Sequence, residues 1–311
     1  MTTAAGETAS LWHRLWIYQR ERIPLGRTAL LLAVFSAASI NISAQLAGRT
    51  LPGWGAYAVA FAVALIFFFQ LRACDEVKDA EDDRRYRPER PIPRGLVSLR
   101  LIVSLALAAV PVAAALTALL DLRLLLPLTL VWLWMGLMTA EFFVPHWLKA
   151  RPLLYVVSHM LIMPLIDLFI TACEWLARAG SPPAGLWLFL VLSFLNGCVL
   201  EIGRKIYAPA NERTGVETYS MLLGPRKATL LWGAVLVAAF VLLVAVGIAI
   251  DAPRLVAAVG FAGLAACLAC AWTFWRTPNA VAQKRLDTVS GLWVLTCYGS
   301  AGFIPLLLRW I

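Results

Sequence analysis

Long uninterrupted apolar runs recur along this chain, and no other feature limits its possible folds so tightly. They cover residues 28–47, 53–71, 101–120, 124–144, 153–172, 184–203, 228–250, 255–275 and 288–308. Roughly 20 apolar residues in helical conformation cross the hydrocarbon core of a bilayer. In that medium each backbone amide must find its partner within the protein, which leaves helices and closed barrels as spanning structures. Barrel strands read as short alternating segments, and these runs are long and continuous. Composition agrees. Hydrophobic residues make up 61% of the 311 and charged residues only 14%, against about a quarter charged in soluble domains. The expectation is an all-α integral membrane protein of about nine transmembrane helices.

Lys and Arg set an orientation. With the N-terminus inside, the inner segments hold Arg14, Arg20, Arg22 and Arg27, the basic residues from Arg72 to Arg100, Lys149 and Arg151. They also hold Arg204, Lys205, Arg213, Arg226, Lys227, Arg276, Lys284 and Arg285. That is 22 of the 27 basic residues, and only Arg49, Arg123, Arg178, Arg254 and Arg309 fall outside. The positive-inside rule then predicts a cytoplasmic N-terminus, an external C-terminus and residence in a bacterial-type cytoplasmic membrane. The net charge of +9 follows from this bias, and no nucleic-acid partner is expected. Residues 1–27 lack the short apolar core and cleavage site of a signal peptide. Leu11, Trp12, Leu15 and Trp16 interleave there with Arg14, Arg20 and Arg22, as in a cytoplasmic helix lying at the membrane surface. A membrane domain of residues 28–311 follows, with polar cytoplasmic loops at 72–100 and 204–227. Cys267 and Cys270 have CxxC spacing inside an Ala/Leu-rich run and are expected to serve as small packing residues.

The first polar loop begins with an acidic ladder. Asp75, Asp79 and Asp83 recur at i, i+4 and i+8, and Glu76 stacks with the last two at i+3 and i+7. If the helix continues past the membrane, these share one face. Like charges so placed repel, and the ladder implies a cation that offsets them. Mg²⁺ prefers one or two carboxylates with waters and substrate phosphates. A solvated charged turn is the alternative reading.

The segment continues to Arg90-Pro91-Ile92-Pro93-Arg94-Gly95. An acidic helix end of the form NDxxDxxxD, followed shortly by RPIPxG, resembles the UbiA prenyltransferase superfamily. Here Asp75 and Glu76 stand where that pattern has Asn and Asp. The resemblance implies nine helices around a central cavity and a Mg²⁺-dependent transfer of a polyprenyl group. The donor would be an isoprenoid diphosphate, the acceptor a lipophilic or aromatic molecule, and the surroundings a lipid bilayer. It implies catalytic and metal-binding roles for Asp75, Glu76, Asp79 and Asp83, and diphosphate contacts from Arg72 and Arg90.

The second loop departs from the family pattern. Gly215-Val216-Glu217-Thr218 and Leu223-Gly224 match its GxxT and Leu-Gly end, but Tyr207 and Asn211 occupy the places of its two aspartates. Glu201 with Asn211 or Glu212 would form a weaker metal site. Alternatively Arg204 and Lys205 hold the diphosphate directly. Lys149 and Arg151, in the connection before the fifth run, are further diphosphate candidates or simple orientation signals.

Inside the runs, Glu141 and Asp167 are costly in hydrocarbon and are expected to face the cavity. His159 shares a run with Asp167, eight residues away, and is a candidate general base or a structural histidine. Asn196 is a fourth cavity candidate. The altered second loop keeps a rival open, a cyclase on the same scaffold that closes a ring without an acceptor. A divalent-cation transporter is a rival of another class, disfavoured because transporters bind ions near the midplane at broken helices. An inactive isoprenoid-binding relative is a third.

Overall fold

Each predicted run folds as a helix in the computed structural model, which describes residues 10–213 and 215–308. Residues 1–9 of the N-terminal segment, Thr214 in the second loop and Arg309 lie outside the described residues. The helices are α1 (Leu11–Arg22), α2 (Leu25–Leu46), α3 (Trp54–Lys78), α4 (Ala80–Tyr86), α5 (Leu99–Leu120), α6 (Leu125–Thr139), α7 (Pro145–Lys149) and α8 (Pro152–Met160). The second half holds α9 (Ile162–Ala179), α10 (Leu186–Gly203), α11 (Tyr219–Leu223), α12 (Pro225–Ala249), α13 (Pro253–Arg276), α14 (Ala280–Gly302) and α15 (Ile304–Leu308). Among the described residues, nine helical segments are long and apolar enough to cross a bilayer, with α8–α9 and α14–α15 each acting as one span.

Local chemistry sets the ends. The Ser98 side chain accepts the Leu101 N–H to start α5, and Gly180 in the left-handed region closes α9, as an αL C-cap does. Two boundaries differ usefully from the sequence expectation. Helix α3 runs seven residues past position 71, carrying Asp75 and Glu76 beyond the apolar stretch. The fourth span stops at Thr139 instead of continuing to position 144. There Glu141, Phe142 and Phe143 all take positive φ, a conformation costly for side-chain-bearing residues.

Lipid tails are as apolar as Leu, so helices in a bilayer associate through close packing and polar contacts. The first and sixth spans, α2 and α10, are the most enclosed at 61% buried, whereas α5 at 22% is peripheral. Hydrogen bonds stitch the interior. Ser39 and Tyr298 both donate to Asp167 at 2.6 Å, joining α2, α9 and α14. Trp132 donates to Gln70 and Trp293 to Asn196. At the end of the bundle away from the polar loops, Arg49 forks onto the fully buried Glu174 at 2.9 and 2.8 Å, and Ser43 donates to the same carboxylate. Cys267 packs against the Val289 carbonyl, and all six cysteines are free thiols.

Candidate functional site

The two polar loops meet at one end of the bundle. Helix α3 kinks at Asp79, yet the i→i+4 bonds continue through it: the Asp79 N–H reaches the Asp75 carbonyl and the Asp83 N–H the Asp79 carbonyl. Across from this turn, α10 ends at Gly203, where an added methyl would strike Ser290 Oγ and Trp232. That close approach fixes where Glu201, Arg204 and Lys205 emerge. Gly215, at φ +78°, lies against the Tyr86 ring, so the second loop rests directly on the first.

The four acids of the ladder do different things. Glu76 is buried and takes Arg22 Nε at 2.6 Å, with the Tyr18 hydroxyl at 3.5 Å. Burial alone would weaken the Arg22 charge, but the Glu76 bond and field outweigh it and raise its pKa. Asp83 is buried beneath Arg87 and Arg90, at 2.9 and 2.5 Å, and so clamps the Arg90–Gly95 turn. Asp75 meets only Arg72, at 3.4 Å, while Asp79 is half-buried at the kink. These two carboxylates remain available. Arg72 also keeps a buried Nε–H without a partner.

The second loop contributes cations. Glu201, 6% exposed, accepts Arg204 Nε at 2.6 Å and Lys205 Nζ at 2.8 Å. Burial disfavours the Arg204 charge, but Glu201 and then Asp75 hold its pKa above the ordinary value. Arg204 and Asp75 thus feel each other across the loops. The side chains are 54% and 49% exposed although protein surrounds them, as expected of groups lining a recess. Asn211 donates to Gln283, and Glu212 accepts Thr218 and Ser220 hydroxyls at 2.7–2.8 Å. Glu212 and Asn211 therefore shape the loop.

The remaining sequence candidates separate. Lys149 and Arg151 are exposed, and Arg151 stacks on Trp147 at 4.2 Å. Asp167 is fully enclosed by its hydroxyl partners, and Asn196 faces Trp293. His159 and Asp167 do not share a site, because the helix kinks at Leu161 between α8 and α9. Instead His159 joins Glu141, brought together by two residues that sequence reasoning missed. Lys78 Nζ lies 2.9 Å from His159 Nε2, 3.1 Å from Glu141 Oε1 and 3.0 Å from the Tyr155 hydroxyl. Lys78 sits on the turn that carries Asp75 and Asp79, and that adjacency was the available signal.

Asp75, Asp79, Glu141 and Glu201 therefore share this end with Arg72, Lys78, Arg204 and Lys205, a charge-balanced set. An anionic ligand entering it brings charge that a cation must offset. The donor chemistry fits one Mg²⁺ at Asp75 and Asp79, since that ion needs only one or two carboxylates beside ligand phosphates and water. It fits a second ion at Glu201, Asn211 and Glu212 poorly, because both carboxylates are engaged by Arg204, Lys205, Thr218 and Ser220 and Asn211 offers only a neutral amide oxygen. Among the described residues, no three His, Cys, Asp or Glu side chains converge as a preformed metal site. The open grooves between α13 and α14, one lined by Val281 and Lys284 and the other by Gly263 and Thr296, lie apart from these charges.

Comparison with known proteins bears on this arrangement. The family model described as the UbiA prenyltransferase family matches residues 31–295. Among solved structures, a UbiA homolog from Aeropyrum pernix K1, determined without ligand, superposes with a TM-score of 0.67 at 17% identity. The alignment covers 90% of this chain and 98% of that one. A digeranylgeranylglyceryl phosphate synthase structure gives a TM-score of 0.59 at 15% identity, covering 93% and 99%. No curated protein sequence matches this chain. At these identities the structural likeness carries the fold.

Proposed function

The chain belongs to the UbiA prenyltransferase family, and from that premise we propose that it transfers a polyprenyl group from an isoprenoid diphosphate to a lipophilic acceptor with the help of Mg²⁺. The observation that carries this reading is the pair Asp75 and Asp79, neither held in a buried ion pair, with Asp75 in the field of Arg204 where the two loops meet. Asp75 and Asp79 would hold the metal, whose charge would offset that of the departing diphosphate. Arg72, Arg204 and Lys205 donate to the diphosphate oxygens, with Glu201 fixing the last two. The apolar bundle holds the prenyl chain, each buried CH₂ contributing about 0.8 kcal/mol. Glu76 and Asp83 support the site by anchoring α1 and the Arg90–Gly95 turn.

The positive-inside bias supports a cytoplasmic site in a bacterial-type membrane, with the N-terminus on the same side. A cyclase remains the second reading, favoured by the replacement of the second aspartate pair with Tyr207 and Asn211. Product analysis separates the two. Purified protein is incubated with Mg²⁺, a membrane lipid extract and geranyl, farnesyl or geranylgeranyl diphosphate. A prenylated lipid is the expected product. A cyclised hydrocarbon or alcohol formed without extract would establish the cyclase instead.

A further inference from the structure

The cluster built around Glu141 is larger than diphosphate binding requires. Glu141 is 8% exposed and rides on the positive-φ break in the fourth span. Each such residue costs on the order of 1–3 kcal/mol and persists only where its surroundings enforce it. Non-helical backbone at membrane depth is tolerated where protein buries it or it lines a cavity. Oxygen Oε1 is fully occupied, taking Lys78 at 3.1 Å and the Tyr155 hydroxyl at 3.3 Å. Oxygen Oε2 is buried and has no hydrogen-bond partner. The His159 Nε2 atom lies 3.8 Å from it, beyond hydrogen-bond distance.

His159 does not satisfy it. The His159 ring stacks on Tyr155 at 3.9 Å, and Nδ1 lies 3.0 Å from the Tyr155 carbonyl. A proton on Nδ1 makes that bond and leaves Nε2 to accept from the Lys78 ammonium. Glu141 Oε2 then faces the lone-pair side of a neutral ring. A buried acceptor left unpaired costs about 1–3 kcal/mol, so the arrangement is completed by a donor from outside. Because Lys78 already places a positive charge 3.1 Å from this carboxylate, an ammonium ligand would be repelled. A neutral hydroxyl would not.

We propose that Glu141 Oε2 is the acceptor-side group of the transfer reaction, binding the hydroxyl of an alcohol or phenol and receiving its proton. This rests on the prenyl-transfer reading. The bond between the allylic carbon and the diphosphate oxygen breaks, and its electron pair leaves with the diphosphate. The acceptor oxygen forms the new carbon–oxygen bond, and its proton passes to Oε2. Lys78 pairs with the other oxygen of the carboxylate, while Tyr155 and His159 hold Lys78 in place. The aromatic wall of Trp134 and Phe142, in edge contact at 5.4 Å, offers an apolar seat for the acceptor body.

The test uses labelled geranylgeranyl diphosphate with Mg²⁺ and three hydroxyl probes: dodecanol, 4-hydroxybenzoate and glycerol phosphate. The readout is the ratio of prenylated probe to water-captured geranylgeraniol. Wild type should prenylate at least one probe, and the probe it takes tells alcohol from phenol. Glu141→Gln should lower the ratio at least 30-fold, because an amide cannot take the proton, and Glu141→Asp should restore part of it. If Glu141→Gln does not purify as a folded protein, Tyr155→Phe serves, with a several-fold drop expected. An unchanged ratio in either variant overturns the proposal, as does a folded Glu141→Gln that no longer releases diphosphate at all. Wild type that releases diphosphate and prenylates no probe overturns it while leaving the ionising reading intact. Absence of release from wild type with geranyl, farnesyl and geranylgeranyl diphosphates alike defeats the prenyl-transfer reading itself.

Discussion

Asp75, Glu76, Asp79 and Asp83 stand close together in sequence, yet their partners divide them into two pairs. Glu76 and Asp83 are buried beneath arginines, whereas Asp75 and Asp79 keep oxygens for a ligand. Removing the charge of Glu76 strands Arg22 in a setting only 12% exposed. Unpairing one partner of a buried ion pair costs roughly 3–5 kcal/mol. Glu76→Gln should therefore lower the thermal midpoint by several degrees and release α1 to proteolysis, with diphosphate release kept within a few-fold. Limited proteolysis and a melting curve read the first part, and a phosphate-coupled assay the second. The ladder itself was legible from spacing alone. Its division was not, because Arg22 lies 54 positions away and no periodicity encodes which arginine folds back. Lys78 was missed for a related reason, since its partners Glu141, Tyr155 and His159 come from two other spans.

At the scale of elements, two features position the site, and both depend on backbone geometry. Gly215 combines φ +78° with a hypothetical methyl only 2.6 Å from the Tyr86 ring. Gly215→Ala should meet both the left-handed penalty and the clash. It should separate the two loops, seen as faster hydrogen exchange over 204–223 and at least a tenfold loss of turnover. The fourth span was expected to run to position 144. Its sequence there is Glu141-Phe142-Phe143-Val144, mostly apolar and compatible with helix, so hydropathy extended it. Pro145, which disfavours helical backbone in the residue before it, was the one mark of an ending. At the far end, the fifth apolar run stops at position 172 and Glu174 lies just beyond it. The α9 helix continues to Ala179, and Glu174 becomes the buried anchor for Arg49. Glu174→Ala should leave two arginines without their carboxylate and lower stability by about 3 kcal/mol, checked by thermal unfolding in detergent.

The whole molecule follows from hydropathy more completely than the site does. Among the described residues the nine runs became nine spans, because in lipid each helix satisfies its own backbone, a constraint read locally. Loop meeting loop is a long-range event, and only span counting points to it: each polar loop follows the second span of a four-span unit, and both fall on the same predicted side. The proposed orientation rests on charge bias alone. A protease site inserted ahead of residue 10 should be shielded in sealed right-side-out vesicles, and one appended after residue 311 should be cut. The reverse pattern would contradict the cytoplasmic placement of the site.

The proposed reaction requires Asp75 and Asp79 to promote ionisation of a prenyl diphosphate with Mg²⁺. Diphosphate release by purified protein tests it most directly, using geranyl, farnesyl and geranylgeranyl diphosphates with Mg²⁺ or excess chelator, beside Asp79→Ala. Release should require Mg²⁺ and fall at least 100-fold in the variant, equivalent to about 2.7 kcal/mol of lost transition-state stabilisation. Wild-type protein that releases nothing from any of the three, or Asp79→Ala that matches wild type, would contradict it.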